Sequence, residues 1–419
     1  MIKAISLLCL FFISHNLLAE NIDTISVSDS NEISYSVYPA DGQHLILWFY
    51  SEAGPQKNDI EIAKSLNKLG IEVWLVDLFE SYFLPTSLSS MDKIPAKEIS
   101  RFIESAHIKS AKKVIPTGTG RSSIPLLRAV RDWQTDYPNS SAMPGIILMS
   151  PKFYKGTPEP GLDGELMPVV NNSNLLLFIM QPTQSPWYWK LSSTIPALEK
   201  NGSDVFIQRI KNVRDRFYFR PDASSYEQEL TRMLPLFINN AAQALSKFPR
   251  LSRAVKNIPT QKTVIANAKK TKTLRTHKGK STPPELKLYS LNGQPVDLKQ
   301  FKDKVVLVNF WATWCPPCVH EMPSMQRLQN QYSTDEFVIL GVNMAEKEND
   351  INTFLKNKVS VNFPILMDTD GAALQRWSVF AFPTSYVIDK KGQIRYSLFG
   401  SIEWDNPQII TIINELIGE

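Results

Sequence analysis

The sequence predicts an α/β protein built as two successive domains, and three observations point there. Over residues 34–245, apolar runs of strand length alternate with stretches whose apolar residues recur at helical spacing. That is the pattern of a mostly parallel sheet covered by helices on both faces. From 246 to 284 there is no Asp or Glu, while Lys and Arg occur eleven times, so the composition breaks in mid-chain. Beyond the break, the apolar run 305–311 leads directly into Trp314-Cys315-Pro316-Pro317-Cys318. A length of 419 residues exceeds one ordinary domain, and a hydrophobic share of 43% suits packed cores.

The chain opens with Lys3, an apolar run over 4–13 and a cleavage site ending at Ala19, so residues 1–19 read as a secretory signal peptide. The apolar run is shorter than the ~18–20 residues of a membrane-spanning helix. A retained N-terminal membrane anchor is the alternative. Cys9 falls within this segment, which leaves Cys315 and Cys318 as the thiols of the mature chain. One Cys-x-x-Cys without other thiols in an exported protein indicates a redox site, not a disulfide scaffold. The expected location is the periplasm.

Residues 21–245 form the first domain. The run 44–50 is a buried strand, 59–69 an amphipathic helix closed by Gly70, and 71–77 the next strand. Residues 96–106 form a helix, 113–116 a short strand, 123–133 a helix and 145–150 a strand. Strands at 175–180 and 205–210 and a helix over 226–245 complete it. This order of pieces, with Thr117-Gly118-Thr119-Gly120-Arg121-Ser122-Ser123 between a strand and a helix, resembles an α/β-hydrolase. In that family this turn carries the nucleophile elbow, G-x-S-x-G. Aligned on Gly118, the nucleophile position holds Gly120, which has nothing to attack with. Ser122 and Ser123 fall on the first turn of the following helix. The family's acid is expected after Met180, where Gln181 to Ser185 include no carboxylate. Its histidine is expected near 212–216, yet no histidine occurs between His107 and His277. His44 and His107 precede the elbow and read as structural. A serine mechanism needs a base within reach of the nucleophile, so the domain reads as a hydrolase-like fold without its chemistry. Trp187, Tyr188 and Trp189 follow a late strand and either line a cleft above the sheet or simply pack.

Residues 246–280 read as a basic, flexible linker with scattered prolines. It is a solvated tether by default, with acidic surfaces as its natural contacts. Export argues against nucleic acid as a partner.

The segment 281–419 carries the chemistry. A hairpin is expected around Asn292-Gly293, then the strand 305–310, a helix from Cys315, a strand over 337–343 and a helix over 351–356. Residues 365–368 read as a connection, 384–389 and 393–399 as a hairpin around 390–392, and 409–417 as the closing helix. A buried strand ending in Cys-x-x-Cys, followed by Val319-His320-Glu321-Met322-Pro323 and later Phe382-Pro383-Thr384, resembles the TlpA/ResA-type thioredoxin-like proteins. These are extracytoplasmic thiol–disulfide oxidoreductases. The resemblance implies a thioredoxin-like fold and roles for individual residues. Cys315, at a helix N-terminus, is the attacking thiolate and Cys318 resolves the mixed disulfide. Pro316 and Pro317 fit the first turn, where missing N–H groups cost little. Pro383 after Phe382 matches the family's cis-proline loop, so Trp314, Pro316, Pro317, Phe382 and Thr384 are expected to contact substrate. Thioredoxin keeps a buried Asp in the strand before the motif, where this chain has Asn309. Glu321 matches a ResA-type glutamate one turn from Cys318 and is expected to tune it; the alternative is a surface glutamate. His320 is expected to be exposed.

The resulting expectation is an exported protein-disulfide reductase whose redox group is the Cys315–Cys318 disulfide, with no other cofactor and no metal. Two thiols without a further ligand pair do not make a zinc site. Expected partners are disulfide-bearing substrate proteins, a membrane electron donor of the thiol–disulfide relay type and an unidentified ligand or protein for the first domain. No acidic insertion of the kind associated with dedicated cytochrome c maturation is present, so a general reductant is expected. The rival readings are a partner-binding protein and an active esterase with a thioredoxin appendage.

Overall fold

A computed structural model of the protein describes residues 22–248 and 273–419. The expected signal peptide with Cys9, and most of the expected linker, lie outside the described residues.

The first sheet has eight strands: β1 (Ile22–Ser26), β2 (Glu32–Tyr38), β3 (His44–Phe49), β4 (Glu72–Val76), β5 (Lys113–Thr119), β6 (Ile146–Met149), β7 (Leu176–Gln184) and β8 (Asp204–Arg214). Their order is β1-β2-β4-β3-β5-β6-β7-β8. β1 and β2 pair antiparallel, β2 pairs antiparallel with β4, and the rest of the sheet is parallel. Between the strands run α1 (Lys57–Lys68), α2 (Leu78–Ser81), α3 (Leu88–Met91), α4 (Ala96–Ser110), α5 (Ser123–Asp136), α6 (Pro186–Trp189), α7 (Leu191–Glu199) and α8 (Ser225–Lys247). Alternation along β3 shows why both faces are covered. Leu45, Leu47 and Phe49 join the core under α4 and α5, while Ile46, Trp48 and Tyr50 join the core under α1 and α8. Each such side chain contributes roughly 1.5–3 kcal/mol on burial.

The second sheet orders its strands β11-β10-β14-β13-β12-β15-β16-β9. They are β9 (Arg275–Thr276), β10 (Lys287–Ser290), β11 (Pro295–Asp297), β12 (Val305–Trp311), β13 (Phe337–Met344), β14 (Ile365–Asp368), β15 (Thr384–Ile388) and β16 (Ile394–Phe399). Its helices are α9 (Pro316–Gln329), α10 (Glu348–Asn357), α11 (Ala372–Arg376) and α12 (Pro407–Gly418). β12 is central, parallel to β13 and antiparallel to β15. Its side chains alternate in the same way: Val305, Leu307 and Trp311 face α9 and α12, and Val306, Val308 and Phe310 face α11.

Three expectations change. The connection at 365–368 is β14, a strand parallel to β13 and supported by its backbone bonds. The linker expected to reach 280 ends earlier, because Arg275 and Thr276 pair with Ser397 and Tyr396 as β9. An antiparallel pair, β1 and β2, precedes the first expected strand, tied to the sheet through Tyr35 and Val37 opposite Val76 and Trp74.

Candidate active site

Cys315 ends the loop after β12 and is the N-cap of α9, with Pro316 and Pro317 filling the first two helical positions. The first N–H the helix offers is that of Cys318, 3.3 Å from Cys315 Sγ. The two sulfurs are joined as a disulfide. The Cys318 N–H and the dipole at this helix end favour a thiolate on Cys315 once the bond is opened. Cys315 is 5% exposed and Cys318 fully buried, so a partner sulfur reaches the first and not the second.

Pairing of Phe310 with Thr384 sets the loop after β12 beside the loop before β15. There the Phe382–Pro383 bond is cis, the Thr384 hydroxyl donates to Ala381 O at 2.8 Å, and Pro383 O accepts from Gly400 N at 2.9 Å. Trp314 and Phe382 meet edge to face at 5.7 Å across the gap between the loops. The structure thus brings together Trp314, Cys315, Pro316, Pro317, Cys318, Phe382, Pro383 and Thr384.

Behind the disulfide lies a buried carboxyl. Glu321 is fully buried on α9, one turn beyond Cys318, so the surface alternative does not hold. Asn309 lies on the same β12 face as Leu307 and Trp311; its Nδ2 donates to Glu321 Oε1 at 2.7 Å and to Ser385 Oγ at 2.9 Å. Trp404 Nε1 donates to Glu321 Oε2 at 3.1 Å. Burial pushes the Glu321 carboxyl up to about 8, against the opposing pull of the Asn309 and Trp404 bonds. At neutral pH this carboxyl therefore holds a proton. His320, next to it, points to solvent.

A second, half-buried carboxyl escaped sequence reasoning. Glu346 accepts from Thr313 N at 2.7 Å, from the Thr313 hydroxyl, and from Asn343 Nδ2 at 2.7 Å. Burial raises its pKa as well. It fixes the residue before Trp314, and nothing in the local sequence links 313 to 346. Among the described residues no cluster of His, Cys, Asp and Glu fit for a metal ion occurs.

Residues 277–410 match the Redoxin family. The thiol-disulfide oxidoreductase ResA of Geobacillus kaustophilus is 34% identical over 122 residues, 29% of this chain and 70% of that protein. The chain belongs to the ResA-type thiol–disulfide oxidoreductases. Thioredoxin-like protein YneN of Bacillus subtilis is 41% identical over 115 residues, 27% of this chain and 66% of its own length. The chain thus spans about two thirds of the length of these relatives. A crystal structure of a thiol:disulfide interchange protein of the thioredoxin family from Chlorobium tepidum is 25% identical, with a TM-score of 0.30, covering 33% of this chain and 97% of that one.

The first domain of this ResA-type chain lies outside the Redoxin match. Gly120, at the expected nucleophile position, has φ +58°, and a Cβ there would fall 2.7 Å from Glu52 Oε2. The Glu52 carboxylate accepts from Arg121 N at 2.9 Å and from Lys152 Nζ at 2.6 Å, and Arg216 stands 3.6 Å away. Burial alone would raise its pKa, but these cationic and N–H partners outweigh that and hold it below the ordinary range. Ser122 Oγ is engaged with both Thr119 N and Thr119 O, and Ser123 Oγ donates to Gly120 O. His44 contacts Ser246 Oγ, and His107 contacts Lys112 O. A carboxylate ion-paired above a glycine thus occupies the turn, and both serines are bound to backbone. The Trp187–Trp189 run is taken up by packing: Trp187 lies beside Tyr154, and Trp189 reaches the second domain.

Proposed function

We propose that this thiol–disulfide oxidoreductase reduces protein disulfides in an exported compartment, using the Cys315–Cys318 pair and no other cofactor. The observation that carries the reading is the oxidised pair at the N-terminus of α9, with the buried Glu321 carboxyl one turn on and the cis-Pro383 loop beside it. A donor thiolate opens the enzyme disulfide at Cys315; the bond breaks, and its electron pair leaves on Cys318 Sγ. Glu321, buried one turn along α9 from Cys318, would supply the proton that neutralises this thiolate. A second donor thiol then releases Cys315 as a thiolate stabilised by the helix end.

In the other half-reaction Cys315 Sγ attacks a substrate disulfide and one substrate sulfur leaves as a thiolate. Glu321 takes back the proton from Cys318, whose sulfur attacks Cys315 Sγ and displaces the second substrate sulfur. Two electrons pass from the dithiol to the substrate, both substrate thiolates take their protons from solvent because the Cys318 proton has returned to Glu321, and the enzyme disulfide re-forms. Phe382 and Thr384 flank the backbone along which an extended substrate segment would lie. The membrane donor implied by the family resemblance fits the first half-reaction. Among the described residues no helix is long and apolar enough to cross a membrane.

Replacing the resolving sulfur tests this. Cys318→Ser should accumulate dithiothreitol-sensitive mixed disulfides on Cys315 when reduced enzyme meets insulin, and Cys315→Ser should accumulate none. Equal trapping by both variants, or by neither, would contradict the assigned roles.

A further inference from the structure

The two domains meet in a closely packed interface. Trp189, at the end of α6, donates from Nε1 to Met344 Sδ at 2.8 Å. It packs against the buried cluster that includes Leu374 and Trp377 of the second domain. Its ring covers Gly371, where an added Cβ would fall 2.6 Å from it. Lys190, only 8% exposed, sets Nζ 3.9 Å from the centre of the Phe380 ring. Burial pulls this amine down to about 8, and the aromatic face offsets part of that cost. Tyr154 meets the same Phe380 ring edge-on at 5.3 Å. Gly164 is pressed in turn: a Cβ there would lie 2.5 Å from Tyr154 and 2.7 Å from Phe380. Each domain leaves out a side chain where the other approaches, which an incidental touch does not require.

Both contact points are a step from the redox loops. Met344 ends β13, and two residues on Glu346 holds Thr313, the neighbour of Trp314. Phe380 stands two residues before Phe382, which meets Trp314 and leads into the cis bond to Pro383.

We propose that the N-terminal domain is a positioning domain for the redox site: docked through Trp189, Lys190 and Tyr154, it holds the 312–315 and 380–383 loops in register for an extended segment of a disulfide-bearing polypeptide. A small disulfide needs only Cys315 Sγ, whereas a polypeptide must lie along both loops, so docking selects for polypeptide substrates. The proposal rests on the reading of Cys315–Cys318 as a site for protein disulfides.

Full-length Trp189→Ala, and Gly164→Val as a wedge that removes no core side chain, are compared with wild type. Insulin serves as polypeptide disulfide and oxidised glutathione as small disulfide; Trp189→Phe is the conservative control. Both disruptive variants should raise KM for insulin roughly tenfold or more, since a misplacement of about 1 Å can cost about 100-fold. The rate with oxidised glutathione and the reduction potential should stay within about twofold and ~10 mV, as ~30 mV is tenfold in the two-electron constant, and Trp189→Phe should restore most of the insulin rate. Equal losses on both substrates would reduce the interface to a structural prop, and unchanged insulin kinetics in both variants would overturn the positioning role. If wild type itself fails to reduce insulin, the functional reading fails first, a result separate from either.

Discussion

Glu321 is a carboxyl held protonated inside the fold, and its titration makes a signed prediction. Its ordinary value of 4.5 rises to about 8 on folding. Below 4.5 both folded and unfolded chains keep the proton; between there and about 8 only the folded chain does. Stability from this group is therefore complete at the acid end and lost as pH rises to about 8, at up to about 1.4 kcal/mol per pH unit. Glu321→Gln cannot ionise, but its amide would turn N–H groups toward Asn309 Nδ2 or Trp404 Nε1, both donors. The variant should be less stable at pH 5 by about 1–3 kcal/mol, and the gap should narrow or reverse by pH 8. Urea midpoints of both chains at the two pH values read this; Asp59, raised to about 7 by burial, adds the same slope to both and cancels. A gap that is constant with pH would mean Glu321 ionises normally.

At the scale of elements, β12 and α9 show what a sequence can reveal. The run 305–311 is legible because a strand buried on both faces is apolar throughout, and the Cys-x-x-Cys marks where it must end. Asn309 is the exception in that run. Read as a lost proton acceptor, it is in fact the donor that holds Glu321, a role that depends on β12 and α9 sharing a face. Removing it through Asn309→Ala takes away one bond that favours the ionised carboxyl. The pH at which thiol exchange changes with Glu321 titration should then move above about 8, and unfolding should become easier by about 1–3 kcal/mol. Stopped-flow exchange rates across pH check this, and an unmoved profile would dissociate Asn309 from the site. β14 was missed because four residues are too few to show a period, and its bonds come from β13. β2 does carry the strand alternation, with Ile33 and Tyr35 buried between more exposed residues.

Across the whole molecule, the two sheets were legible and the way they dock was not. Trp189 and Met344 are 155 residues apart, and no local pattern announces a partner at that distance. The glycine at the expected nucleophile position was visible in the sequence; the Glu52 carboxylate seated above it was not, because it comes from the loop after β3, far in sequence from the turn. In the picture proposed here, a dithiol site is positioned by a first domain whose elbow position holds Gly120 under the Glu52 carboxylate. Its central claim is the direction of electron flow. The most direct measurement is the reduction potential of the Cys315–Cys318 pair in the full chain, by equilibration with glutathione and dithiothreitol buffers. A reductase should lie near thioredoxin's value of about −270 mV. A value near about −120 mV would make the protein a donor of disulfides and contradict the reduction of substrates proposed here.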